Sequence, residues 1–104
     1  MNAVDIGQLS DFESGVPRQI HVADRTLVVV RIEDDVYVLD DRCSHEDFSL
    51  AEGEVDCEAA EIECARHGSM FRLKDGEPTS LPATRPVAHY DVRTLDGRLE
   101  VVLP

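Results

Sequence analysis

The sequence predicts a small antiparallel all-β domain with a loop-rich insertion. Three observations carry that reading. Short β-branched, apolar runs recur between turn signals, as in residues 26–32 and 99–103. Asp96-Gly97 sits between two such runs and is the strongest hairpin signal in the chain. The middle, residues 40–76, breaks the β pattern with polar, loop-like text, and all three cysteines fall inside it.

Taken in order, residues 16–22 carry Val16, Ile20 and Val22 with Pro17 near the start, which suits an edge strand. Residues 26–32 are apolar enough for a buried strand. Residues 36–39 follow after the acidic turn Glu33-Asp34-Asp35, so the two form a hairpin. Residues 48–51 are expected to form one helical turn, and Asp75-Gly76 marks another turn. Residues 81–87 contain Pro82 and Pro86 and read as a stiff connector. Residues 87–92 and 99–103 then flank the Asp96-Gly97 turn. With no internal repeat or linker, the 104 residues are expected to be one domain, 1–104, with the insertion spanning about 41–76.

Composition narrows the function classes. The net charge of −12, from 22 acids against 10 bases, disfavours nucleic acid or anionic lipid as partners. It is compatible with docking to a basic protein surface or with solubility alone. The longest apolar run, residues 27–30, is far below the roughly 20 residues a bilayer requires. Residues 1–6 lack the features of a signal peptide, so a soluble protein in the cytoplasm is expected. Cys43, Cys57 and Cys64 are an odd number, which argues against a disulfide framework and for metal or redox use. A domain this small also gains from a metal staple.

The chemistry is carried by Cys43-Ser44-His45 and Cys64-Ala65-Arg66-His67: C-x-H, eighteen residues, then C-x-x-H. Each segment offers one thiolate and one imidazole. Zinc accepts two of each in a tetrahedron, but zinc fingers usually group cysteines with cysteines and histidines with histidines. One of each per loop suits a two-iron cluster in which Cys43 and Cys64 hold one iron and His45 and His67 the other. Such a partition is the one found in Rieske centres.

Three segments bear a closer resemblance: Cys43-Ser44-His45-Glu46-Asp47-Phe48-Ser49-Leu50, Cys64-Ala65-Arg66-His67-Gly68-Ser69-Met70-Phe71, and Leu81-Pro82-Ala83-Thr84-Arg85-Pro86-Val87. On these the chain resembles the Rieske ferredoxins that serve bacterial ring-hydroxylating dioxygenases, over its whole length. The resemblance implies a Rieske-type antiparallel β-sandwich with an inserted cluster-binding subdomain and one [2Fe–2S] cluster per chain. It implies ligation by both histidines through Nδ1, a tight turn at Gly68, and shielding of the cluster by Pro82 and Pro86. The gap between His45 and Cys64 is about one residue longer than is typical, an addition expected in the turn at 54–59. High-potential Rieske proteins carry an extra cysteine in each loop, joined as a disulfide; here those positions are Phe48 and Arg66. Phe71 also replaces their tyrosine hydroxyl donor, while Ser69 is retained. Low potential is the expectation.

Of the remaining residues, Cys57 is expected to be a non-ligand in a turn. His21, His89, Tyr37 and Tyr90 are expected to be ordinary surface or core residues. Glu46, Asp47, Glu52 and Glu54 form either a docking face or a solvated acidic loop. The chain has no second domain to supply a mononuclear iron, so it is not expected to be an oxygenase, or an enzyme in its own right. The expected function is one-electron transfer, as a monomer, from a flavin-dependent ferredoxin reductase to a terminal oxygenase. Two alternatives stand beside it: an accessory role in iron–sulfur cluster assembly, and the small subunit of a nitrite reductase.

Overall fold

Two-residue turns lay down most of the main sheet. The computed structural model describes residues 2–44, 47–66 and 68–104. Its strands are β1 (Asn2–Gln8), β2 (Arg18–Val22), β3 (Arg25–Ile32), β4 (Asp35–Asp40), β5 (Val55–Asp56), β6 (Glu61–Glu63), β7 (Met70–Arg72), β8 (His89–Leu95) and β9 (Arg98–Leu103). The β8–β9 hairpin closes at the pair Leu95 and Arg98. Asp96 and Gly97 between them have φ of 52° and 78°, as a type I′ turn needs. Equally short connections join β2 to β3 and β3 to β4, with Ala23 and Glu33 at positive φ in the first turn position.

Six strands form one antiparallel sheet in the order β1-β9-β8-β4-β3-β2, and β5-β6-β7 form a second, smaller one. The large sheet is two three-stranded halves joined by a short β4–β8 ladder at Val38–Tyr90 and Leu39–His89. Its halves enclose Phe12, Leu27, Val29, Val38, Leu99 and Val101. On the opposite face of β3 and β4, Val28, Val30 and Leu39 pack against the small sheet. Strand side chains alternate faces, so Leu27-Val28-Val29-Val30 serves two cores in turn. That explains an apolar run without polar alternation: both faces of the strand are covered.

The hairpins agree with the sequence reading; beside the small sheet, which lies in the segment expected to be loop-rich, four features differ from it. Residues 2–8 form a strand, because the first strand finds its partner, β9, at the other end of the chain. The edge strand β2 starts at Arg18: Val16 N–H donates to the Glu13 carbonyl and Pro17 has no N–H to give, so the ladder begins after it. β8 starts at His89, because Val87 N–H donates to the Gly76 carbonyl and its side chain is buried under the small sheet. The helical turn is a 3-10 turn at Leu50–Glu52 rather than 48–51, since the Phe48 carbonyl is used by Cys43 N–H. Among the described residues no helix is long and apolar enough to cross a membrane.

Candidate metal centre

The chain leaves the main sheet at Asp40 and re-enters it at His89, and a bond from Asp40 N–H to the Ala88 carbonyl (2.9 Å) closes the base of this excursion. Cys43 follows β4 and Cys64 follows β6. Each cysteine sits at the neck of a tight loop that its own N–H closes. Cys43 donates to the Phe48 carbonyl at 2.9 Å, and Cys64 donates to the Ser69 carbonyl at 2.8 Å. Inside the second loop Gly68 N–H returns to the Cys64 carbonyl at 2.9 Å, with Gly68 at φ 78°, a left-handed conformation that favours glycine.

The two thiols are 2% and 0% exposed, and both belong to the core cluster containing Leu39, Leu50, Ile62 and Phe71. Neither is in a disulfide. Two thiols outside any disulfide, from different loops and buried in one apolar cluster, are the donor chemistry that a thiolate-bound metal centre uses. His45 and His67, and Glu46 with them, lie outside the described residues.

A buried carboxylate that the sequence reading missed braces the first loop. Asp41 is 7% exposed. It accepts hydrogen bonds from Gln19 Nε2, from the Ser49 hydroxyl and from Ala51 N–H, the last at 2.7 Å. It thereby fastens the loop around Cys43 both to β2 and to the 3-10 turn. The available signal was an acid placed between a strand end and a motif cysteine, with a serine eight residues further on.

The segment 79–87 forms a third loop beside the other two. Ser44 Oγ donates to the Arg85 carbonyl, and Ser69 Oγ accepts from Ala83 N–H at 3.1 Å. A cleft of about 340 Å³ opens where the first and third loops meet, lined by Asp40, Arg42, Cys43, Ser44, Asp47 and Arg85 among others. Phe71, fully buried in β7, presents a ring with no hydroxyl to donate.

Charge is unevenly spread over the excursion. Arg42, Arg66 and Arg85 stand exposed, one on each loop, and Arg42 pairs with Asp47 at 3.4 Å. Residues 52–63, around the β5–β6 hairpin, carry six acids and no base. Cys57 is exposed in the turn of that hairpin, beside Gly15. His21 and His89 are exposed on strands. Tyr37 packs against the core that holds the cysteines, and Tyr90 against the other, with its hydroxyl donating to Asp40 and accepting from Arg25. Burial, with Asp40 beside it, holds the Tyr90 phenol above its ordinary pKa.

The fold and site together describe a small antiparallel β protein whose paired cysteine loops bring two thiols into one buried cluster. The Rieske [2Fe–2S] domain model matches residues 2–91, and the chain belongs to that family and carries one [2Fe–2S] cluster. It is 32% identical to the anthranilate 1,2-dioxygenase ferredoxin subunit of Burkholderia cepacia over 96 residues, 92% of this chain and 87% of that one. Among solved structures it is similar to the ferredoxin of carbazole 1,9a-dioxygenase from Nocardioides aromaticivorans IC177. That match has a TM-score of 0.96 and 34% identity and covers all of both chains. A second match is a ferredoxin solved in a complex of reduced oxygenase and oxidized ferredoxin in carbazole 1,9a-dioxygenase. Its TM-score is 0.87 at 33% identity, over 95% of this chain and 91% of that one.

Proposed function

We propose that the protein is a one-electron carrier whose [2Fe–2S] cluster is held by Cys43 and Cys64 on one iron and His45 and His67 on the other. The observation that carries this reading is the pair of thiols, outside any disulfide and buried in one core, on loops that each bring a histidine in the next few residues. When bound, the cluster supplies reversible uptake of a single electron. The chain's part is to hold it and keep water from it. Leu39, Leu50, Ile62 and Phe71 form an apolar wall around the thiols, while Asp41 keeps the first loop in register.

The protein is an electron-transfer component, not a catalyst in its own right. Its relatives are ferredoxin subunits of dioxygenase systems, and one of the similar ferredoxins was solved together with its oxygenase. The proposed route runs from a flavin-dependent ferredoxin reductase, through this chain as a monomer in the cytoplasm, to a terminal oxygenase. The proposed cluster-binding unit spans about 41–76. We place the potential at the low end of the Rieske range, about −150 mV rather than about +300 mV. Phe71 cannot donate to a cysteine sulfur, and no disulfide joins the two loops among the described residues.

A relay assay tests the reading. Purified protein mixed with a ferredoxin reductase and NADH should be reduced by one electron per chain, and a terminal oxygenase should reoxidise it. Reduced protein that an oxygenase leaves untouched, but that hands its cluster intact to an apo-protein, would contradict the proposal in favour of a cluster-assembly role.

A further inference from the structure

Among the described residues, the third loop makes few bonds of its own. Two of its residues, Pro82 and Pro86, have no N–H to offer. Its ends are pinned by Thr79 N–H to the Met70 carbonyl (2.8 Å), Met70 N–H to Ser80 Oγ (2.9 Å) and Val87 N–H to the Gly76 carbonyl (2.9 Å). Between them, among the described residues, its polar attachments are two serines. Ser69, fully buried in the second cysteine loop, accepts from Ala83 N–H; Ser44, in the first cysteine loop, donates to the Arg85 carbonyl. One serine from each cysteine loop therefore takes hold of the same five-residue stretch, Pro82-Ala83-Thr84-Arg85-Pro86.

The two bonds differ in what they use. Ser69 accepts, which leaves its own hydroxyl hydrogen for another partner. Ser44 spends its hydroxyl hydrogen on Arg85, and its neighbours in sequence are the proposed ligands Cys43 and His45. We infer that Ser44 is a positioning residue: its bond to the Arg85 carbonyl locks the proline loop onto the first cysteine loop, so that the three loops close as one unit that limits water at the cluster. This rests on the proposed function. Two ferric ions, two sulfides, two thiolates and neutral imidazoles sum to zero charge, and reduction takes the site to −1. Water stabilises the more highly charged form. A loosened loop therefore moves the potential to more positive values.

The test compares Ser44→Ala, Ser44→Thr and Ser44→Val with wild type as purified holoprotein. Hydrogen exchange of the peptide covering residues 80–88 should quicken about threefold to tenfold in the Ala and Val variants, the loss of one modest hydrogen bond. Thr, which keeps the hydroxyl, should restore wild-type exchange. Peptides from β1 and β9 should not change. Voltammetry should show a more positive potential for Ala and Val, and a wild-type value for Thr. If the Ala variant does not fold, the Thr and Val pair, matched in shape, carries the comparison. Wild-type exchange in the variants lacking the hydroxyl would overturn the inference. So would faster exchange with an unmoved potential, which would make Ser44 a local loop anchor only. A wild-type protein free of iron and sulfide would instead contradict the proposed function. Unmoved exchange in its Val variant would still overturn the clamp.

Discussion

Two cores share strands β3 and β4, and they are built differently. The core inside the six-stranded sheet is hydrocarbon: Phe12, Val29, Val38, Leu99 and Val101, enclosed by ladders and two-residue turns. The other contains the sulfurs of Cys43 and Cys64 and is closed by loops. Those loops hang on a few polar side chains, Asp41, Ser44 and Ser69, rather than on long ladders. The first core is held by apolar burial and strand pairing. The second depends on specific hydrogen bonds and, on the proposed ligand set, on the cluster its thiols would hold. Val28 and Val29 are neighbours that face opposite cores, so the two environments lie back to back on one strand.

The sharpest way to break this contrast is to remove a thiol. Cys43→Ala and Cys64→Ala should each abolish the EPR signal of the reduced cluster, while Cys57→Ser, exposed on the β5–β6 turn, should leave it intact. A signal surviving in either Ala variant would move the ligand set elsewhere.

A matched pair of core variants comes next in size. Val28→Ala and Val29→Ala delete the same atoms from fully buried sites, so each should cost about 2 kcal/mol of stability. Only Val28→Ala should hasten cluster loss to a chelator, followed by bleaching of the visible absorption. Equal bleaching rates would mean that the two faces are not separate environments.

The smallest effect belongs to the main sheet. The Arg98 guanidinium, with help from Gly7 N–H, holds the Asp5 carboxyl at a pKa of about 2, below its ordinary 3.8. A pKa depressed by folding means stability that is present above about pH 4 and fades as pH falls toward 2. Arg98→Ala should bring the Asp5 titration, followed by NMR, back toward the ordinary carboxyl range. Because both groups are exposed, it should change stability at neutral pH very little. Any loss of the cluster in this variant would show that the two regions are coupled through β1 and β9.

The contrast also explains what could be read from the sequence. The hairpins of the main sheet were legible because their signals are local: Asp96-Gly97 is a turn by backbone conformation alone, and residues 27–30 are apolar because both faces are covered. β1 was not, since its pairing with β9 joins opposite ends of the chain. The small sheet escaped as well. Strands as short as Val55–Asp56 and Glu61–Glu63 hold too few residues for their alternation to stand out, and they form because loops bring them together. At the site, the paired spacing of cysteine and histidine is the signal from which the ligand set is proposed. The supports Asp41 and Ser44 did not stand out, because a carboxylate or hydroxyl in a loop looks like any solvated residue until its partners, Gln19 and Arg85, are known. Of the acids expected to form either a docking face or a solvated loop, Glu46 lies outside the described residues, while Glu52 and Glu54 lead into the β5–β6 hairpin, where six acids fall between residues 52 and 63; exposed arginines stand on the cysteine loops.

The most direct measurement is the metal content and spectrum of the purified wild-type protein. The account predicts a red-brown protein with two iron and two acid-labile sulfide per chain and, once reduced, a Rieske-type EPR signal. A colourless protein holding one zinc at the same cysteines would contradict it.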